Sequence, residues 1–192
     1  MSRLRALALL TVAWVGLVTV YGVADDLGLL GDPPAHGKPA RRVPASRAAQ
    51  ADIPASYLKV YQRAARRCPG LSWAVLAAIG KVESDHGRAR LPGVRSGWNP
   101  AGAAGPMQFG IGRGRAGNAW ARYGDDHDHD SYASVYDPGD AIPAAADYLC
   151  ANGAHRNLDR ALYAYNPSWS YVAHVKAVAR RYAARQSGGG RR

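Results

Sequence analysis

Residues 72–87 read Ser72-Trp73-Ala74-Val75-Leu76-Ala77-Ala78-Ile79-Gly80-Lys81-Val82-Glu83-Ser84-Asp85-His86-Gly87. Serine caps a helix well and glycine ends one. Between them Trp73, Val75, Leu76, Ile79 and Val82 sustain an apolar helical run. At its far end stands Glu83, the sole glutamate of the chain. It follows Ile79 by four residues and Leu76 by seven, so it shares their face. A carboxyl group on an inward face is desolvated and also feels the negative end of the helix macrodipole, and both effects raise its pKa. General-acid chemistry near neutral pH needs such a group, raised from about 4.3 towards 6. The bland alternative is a glutamate that turns into water at the helix end.

Helix signals continue on both sides of this stretch. Pro54 suits a first turn, and Tyr57, Tyr61, Ala64, Ala65 and Cys68 recur at helical spacing before Pro69-Gly70. Asp140 is placed to cap a third helix, with Pro143 in its first turn and Asn152-Gly153 at its end. Leu158, Leu162 and Tyr165 mark a short fourth helix that Pro167 stops, and Tyr171, Val175, Val178 and Tyr182 form the apolar face of a fifth. Residues 88–124 are glycine-rich and follow neither period, which predicts loop with short pieces of structure; such loops often carry function. No segment alternates strongly enough to predict a strand.

The expected fold class is therefore mainly α, with few or no strands. The chain divides into residues 1–24, a membrane-directed segment; 25–52, a flexible Pro/Ala/Arg linker; 53–185, one globular domain; and 186–192, a glycine-rich disordered tail. In the first segment Arg3 and Arg5 precede an uncharged, largely apolar run from Ala6 to Ala24. That run is nearly long enough to span a membrane and would hold its basic start in the cytoplasm. Gly22 and Ala24 also fit a cleavage site, so a retained anchor and a removed signal peptide both stand. Either one exports the domain, tethered to the membrane or released to the cell wall.

Export fits the cysteine count. Cys68 and Cys150 are the only two, and an even number in an oxidising compartment predicts one disulfide, with two buried thiols as the alternative. The formal net charge is +11, and from residue 51 onward 19 basic residues still face 11 acidic ones. A cationic surface suits nucleic acid, an anionic membrane or an acidic wall. The arginines are scattered, in pairs such as Arg66-Arg67, without interleaved aromatic stacking motifs, which argues against nucleic acid.

Three motifs together resemble the lysozyme-like soluble lytic transglycosylase family, particularly its small actinobacterial-type members. The likeness covers most of residues 53–183. Ile79 to Gly87 is similar to that family's Glu-Ser motif with an aromatic residue before glycine. Gly105-Pro106-Met107-Gln108-Phe109 resembles its Gly-Leu-Met-Gln segment, and Ala164-Tyr165-Asn166 matches its Ala-Tyr-Asn. The resemblance implies a lysozyme-like domain, acting as a monomer on peptidoglycan glycan strands without a required cofactor. Glu83 would protonate the bond between N-acetylmuramic acid and N-acetylglucosamine, then deprotonate the muramyl C6 hydroxyl to give a 1,6-anhydro end. It further implies substrate contacts from Ser84, Met107, Gln108, Tyr165 and Asn166, with Met107 and Gln108 lining the cleft and Tyr165 bonding or orienting Glu83. Core packing is the plain alternative for Met107.

Pro106 stands where the family has leucine, and Pro167-Ser168 follow Asn166 where it has glycine; both departures bear on loop shape. Asp85 lies about 200° around a continuing helix from Glu83 and could not flank the same bond. Without a second carboxylate, transglycosylation is favoured over hydrolysis. A goose-type-like muramidase and a non-catalytic wall-binding module are the alternatives. Finally, Asp126, Asp128, Asp130 and Asp137 partly follow a calcium-loop spacing. Ser131 sits where that loop wants glycine, so a solvated acidic loop competes with a structural calcium. His127 and His129 alternate with these aspartates and add a less favoured transition-metal reading.

Overall fold

The computed structural model describes residues 44–184. The expectations for residues 1–24, for 25–43 and for the tail lie outside the described residues. Among the described residues no helix is long and apolar enough to cross a membrane.

The fold is mainly helical. Among the described residues seven α-helices follow in chain order: α1 (Arg47–Asp52), α2 (Ala55–Ala64), α3 (Trp73–Ser84), α4 (Trp120–Tyr123), α5 (Pro138–Ala151), α6 (Leu158–Tyr165) and α7 (Trp169–Ala183). The centre is α3. Every residue from Trp73 to Gly80 is buried, because this helix is apolar on all sides and so must be surrounded. It packs chiefly on α7, and also on α2 and α5. Gly80 is needed where α2 crosses: a Cβ there would collide with the Tyr61 hydroxyl.

Ser72 caps α3 as its sequence predicts, its hydroxyl accepting from the Ala74 N–H at 3.3 Å. The far end stops earlier than Gly87. Asp85 and His86 already adopt left-handed backbone, with φ of 51° and 56°. Each such residue costs on the order of 1–2 kcal/mol, so side-chain bonds must hold them. The His86 N–H closes the helix on the Gly80 carbonyl at 2.9 Å. Asp85 is held by Lys81 and Arg88 at 2.7 and 2.8 Å.

Two boundaries differ from the sequence reading. The assigned linker runs too far: Ser46 caps α1, Ala49 is fully buried, and the Ser46 N–H donates to the Tyr182 carbonyl at 3.1 Å. Six residues with one buried alanine carry too little periodicity to announce a helix. In α5 the cap is Asp137, with Pro138 in the first turn, so Pro143 lies in the helix interior. Asp140 instead buries its carboxylate and accepts from the backbone N–H groups of His127 and Ser134, both at 2.8 Å. It organises the preceding loop.

The glycine-rich stretch contains one antiparallel hairpin, β1 (Ala103–Ala104) with β2 (Phe109–Gly110), paired Ala103 to Gly110 and Ala104 to Phe109. Strands of two residues are too short to show alternation. Gly105 turns at φ 78°, and a Cβ there would strike the Val135 carbonyl oxygen, so the hairpin closes tightly on the segment leading into α5. Cys68 and Cys150 form the expected disulfide across 5.4 Å between Cα atoms, joining the turn that follows α2 to the last turn of α5. Closing a loop of this length restricts the unfolded chain by roughly 4–5 kcal/mol in the chain-entropy model.

Candidate active site

A cavity of about 560 Å³ opens between the end of α3, the hairpin and α6. Glu83 lines it, together with Asn99, Gln108, Tyr148, Tyr165 and Asn166. Among the described residues it is the one carboxyl group on the wall. Burial pushes that carboxyl from 4.5 up to about 7, and the nearby Tyr171 hydroxyl pulls the other way. The Tyr171 hydroxyl is itself buried and meets no partner at full hydrogen-bond geometry among the described residues. Its influence on Glu83 marks the two groups as neighbours. Burial therefore favours the neutral form of Glu83, and no cation is among the influences on it to oppose that.

The hairpin presents its polar groups in a locked arrangement. Asn99 accepts from the Ala101 and Ala103 N–H groups at 2.8 and 3.0 Å, and its amide donates to Gln108 Oε1 at 2.9 Å. Gln108 has left-handed backbone at φ 52° and donates to the Gly105 carbonyl at 2.8 Å. Its amide keeps one N–H and one lone pair for a ligand. On the wall itself, Phe109, Tyr148 and Tyr165 meet edge to face, with centroids 5.2 to 6.5 Å apart. This cluster ties β2 to α5 and α6.

Several sequence-derived roles need correction. Met107 is fully buried in the core and does not line the cavity; it packs near Gly80, and its carbonyl accepts from the Tyr165 hydroxyl at 2.7 Å. Tyr165 thus spends its proton on the hairpin while staying within electrostatic range of Glu83, and Tyr171 is a second hydroxyl that acts on Glu83. Tyr165 and Asn166 still line the cavity. Ser84 is buried too, donating to the Pro106 carbonyl at 2.6 Å and accepting from the Gly87 N–H at 2.8 Å. It joins the helix end to the hairpin instead of facing a ligand. Asn99, Tyr148 and Tyr171 carry no local sequence signal, because each arrives through long-range packing.

His86 braces the helix end. The Tyr182 hydroxyl donates to Asp52 Oδ2, so its oxygen accepts from His86 Nε2 at 3.2 Å, and His86 Nδ1 then accepts from Tyr61 at 3.0 Å. The chain of donors runs one way, from Tyr61 to Asp52. It fixes the histidine as the Nε2–H tautomer. Desolvation lowers the His86 pKa to about 4, so the ring is neutral at ordinary pH.

The acidic loop forms two overlapping groups, Asp126 with Asp128 and Asp140, and Asp128 with Asp130 and Asp137, each with carboxylate oxygens within 4.8 Å. These oxygens already have work. Asp126 accepts from the Asp130 and Ser131 N–H groups at 3.0 and 2.9 Å, Asp130 from Tyr132 at 2.9 Å, and Asp137 caps α5. Ser131 takes the left-handed turn itself, at φ 78°. The His127 ring is buried and points towards Asp147, with Nε2 4.0 Å from Oδ2. The alternating His and Asp side chains therefore form no common ligand set among the described residues.

No protein-family model and no curated protein matches this chain.

Proposed function

We propose that this chain is a lysozyme-like lytic transglycosylase that cleaves the glycan strands of peptidoglycan with Glu83 as its one acid/base. The observation that carries the reading is a lone carboxyl group on a cavity wall with its pKa at about 7. Such a group holds a proton to give and, once ionised, can take one back. Glu83 protonates the glycosidic oxygen as the C1–O bond breaks. The muramyl C6 hydroxyl then bonds to C1 and returns its proton to Glu83, leaving a 1,6-anhydro end and a free hydroxyl on the departing sugar. Water is not consumed.

Among the described residues the cavity wall carries no second carboxylate. That supports this route over hydrolysis, which in the usual two-carboxylate scheme needs a base or a nucleophile opposite the acid. Gln108 and Asn166 offer amides to the N-acetyl groups, and exposed Arg115 at the rim offers a cation to the acidic substituents of the strand. The disulfide agrees with an exported protein, and the N-terminal segment would carry the domain out, as an anchor or as a signal peptide. The reaction as written balances without a cofactor. A structural calcium on the Asp126–Asp137 loop stays an alternative to a solvated acidic loop; a melting midpoint unchanged by chelator would remove it.

Mass spectrometry of digested peptidoglycan tests the reaction. Anhydro-muramyl ends are expected. Reducing ends would assign a hydrolytic muramidase, release by Glu83→Gln equal to that of an active wild type would remove Glu83 as the acid, and no release by either would leave a wall-binding module without turnover.

A further inference from the structure

The surface of α6 and α7 carries an aromatic pair that the cleft does not use. Trp169 opens α7 and is 61% exposed; Tyr163 on α6 is 37% exposed. Their rings lie against each other, with centroids 4.6 Å apart and planes 30° apart. Large apolar surface left in water marks a binding surface more often than chance when it adjoins a concavity. Here it does. Trp169 lines a groove of about 280 Å³ with Val172, Asp159, Lys176 and Arg180.

The polar groups of that groove are arranged. Lys176 Nζ donates to both oxygens of Asp159, at 2.7 and 2.8 Å, while Arg180 is exposed and makes no ion pair among the described residues. A flat indole suits the apolar C–H face of a pyranose ring, and an ion pair beside it offers both acceptors and donors to ring hydroxyls. Two cations against one carboxylate leave the groove positive, which suits a saccharide bearing carboxylates. The groove also begins where the cleft wall ends. Asn166 and Pro167 line the cleft, Trp169 follows two residues later, and two residues span at most about 7 Å.

We propose that the α6–α7 groove is a second glycan-binding surface, which holds a carboxylate-bearing aminosugar strand beyond the reacting bond. This rests on the reading of the cleft as a peptidoglycan site. Its role is retention on the polymer, and bond cleavage in the cleft does not depend on it.

Binding is measured on the Glu83→Gln background, where turnover does not intrude, by co-sedimentation with purified peptidoglycan sacculi. Adding Trp169→Ala should weaken binding about tenfold, the upper range for an aromatic contact, and Trp169→Tyr should restore most of it. Lys176→Ala with Arg180→Ala should flatten the salt dependence of binding. Trp169→Ala in the active enzyme should leave turnover of a short soluble tetramer of alternating N-acetylglucosamine and N-acetylmuramic acid unchanged. Equal sacculus binding with and without Trp169 would overturn the inference, as would a Trp169-dependent affinity for anionic phosphatidylglycerol vesicles in place of sacculi. If the wild type cleaves nothing while Trp169→Ala still weakens sacculus binding, the enzymatic reading fails and the glycan surface stands. If cleavage is normal and Trp169→Ala binds normally, the groove alone is refuted.

Discussion

Glu83 and Asp52 both meet the last turn of α3, Glu83 as part of it and Asp52 through Lys81, with Arg88 beyond the helix end as a further partner. Glu83 faces a cavity with no cation among its influences, and burial lifts its carboxyl to about 7. Asp52 is also penalised by burial, yet Lys81, Tyr182 and Arg88 hydrogen-bond to it and hold it well below the usual carboxylate range. Burial raises both carboxyls, far more deeply at Glu83 than at Asp52, and at Asp52 the donors and cations supplied outweigh it. In the proposed mechanism the first carboxyl keeps a proton to give, while the second stays charged and bonds Lys81 and Arg88 beside the left-handed turn.

The largest test of this contrast is activity. Glu83→Gln should lower muropeptide release by about 10²–10⁴-fold, the range for losing a general acid, while Asp52→Asn should change it by a few-fold at most. If both fell equally, the contrast between a reacting and a bracing carboxyl would be lost.

Stability should move the other way. Below pH 4.5 Glu83 is protonated in both folded and unfolded chains and imposes no penalty. Between pH 4.5 and about 7 the unfolded chain releases its proton first, so folding stability falls as pH rises and levels off above the folded value. The shift from 4.5 to about 7 corresponds to a penalty of at most about 3 kcal/mol. Glu83→Gln should accordingly melt higher than the wild type at pH 8 and lose that advantage at pH 4, as followed by thermal denaturation.

Asp52→Asn should cost about 2 kcal/mol at neutral pH, since it removes charged hydrogen bonds from a side chain only 21% exposed. Because the folded pKa of Asp52 is depressed, its contribution is present above the ordinary value of 3.8 and fades as pH falls below it. Urea midpoints at pH 7 and pH 3 would show the difference shrinking. The smallest expected effect belongs to Tyr171→Phe. It removes the one influence that lowers the Glu83 pKa, so the alkaline limb of the pH–activity profile should shift upward by less than about one unit. A downward shift would contradict the placement of that hydroxyl.

The same contrast explains what the sequence can show. The proposed acid is legible because one glutamate ends an apolar helix, and helical periodicity is a local property. The long helices α2, α3, α5, α6 and α7 are legible for the same reason. Helix α1 and the hairpin strands are not, being too short to display a period. The motifs point Ser84 and Met107 at substrate, but motif membership does not reveal direction: one bonds the Pro106 carbonyl and the other fills the core. Tyr171 reads as an apolar helix residue, and only the packing of α7 on α3 brings its hydroxyl to Glu83. Asp52 falls in the stretch read as linker because its partners lie as far away as Arg88 and Tyr182.

A single glutamate offers a direct measurement. With ¹³C-labelled glutamate incorporated, the side-chain carboxyl gives one resonance, and its chemical shift can be followed by NMR across pH. A midpoint near 7 is the expected result, and the Glu83→Gln substitution should remove the signal. A midpoint near 4.5, the value of a solvated glutamate, would mean that Glu83 carries no proton to donate at neutral pH, and the proposed chemistry would fail.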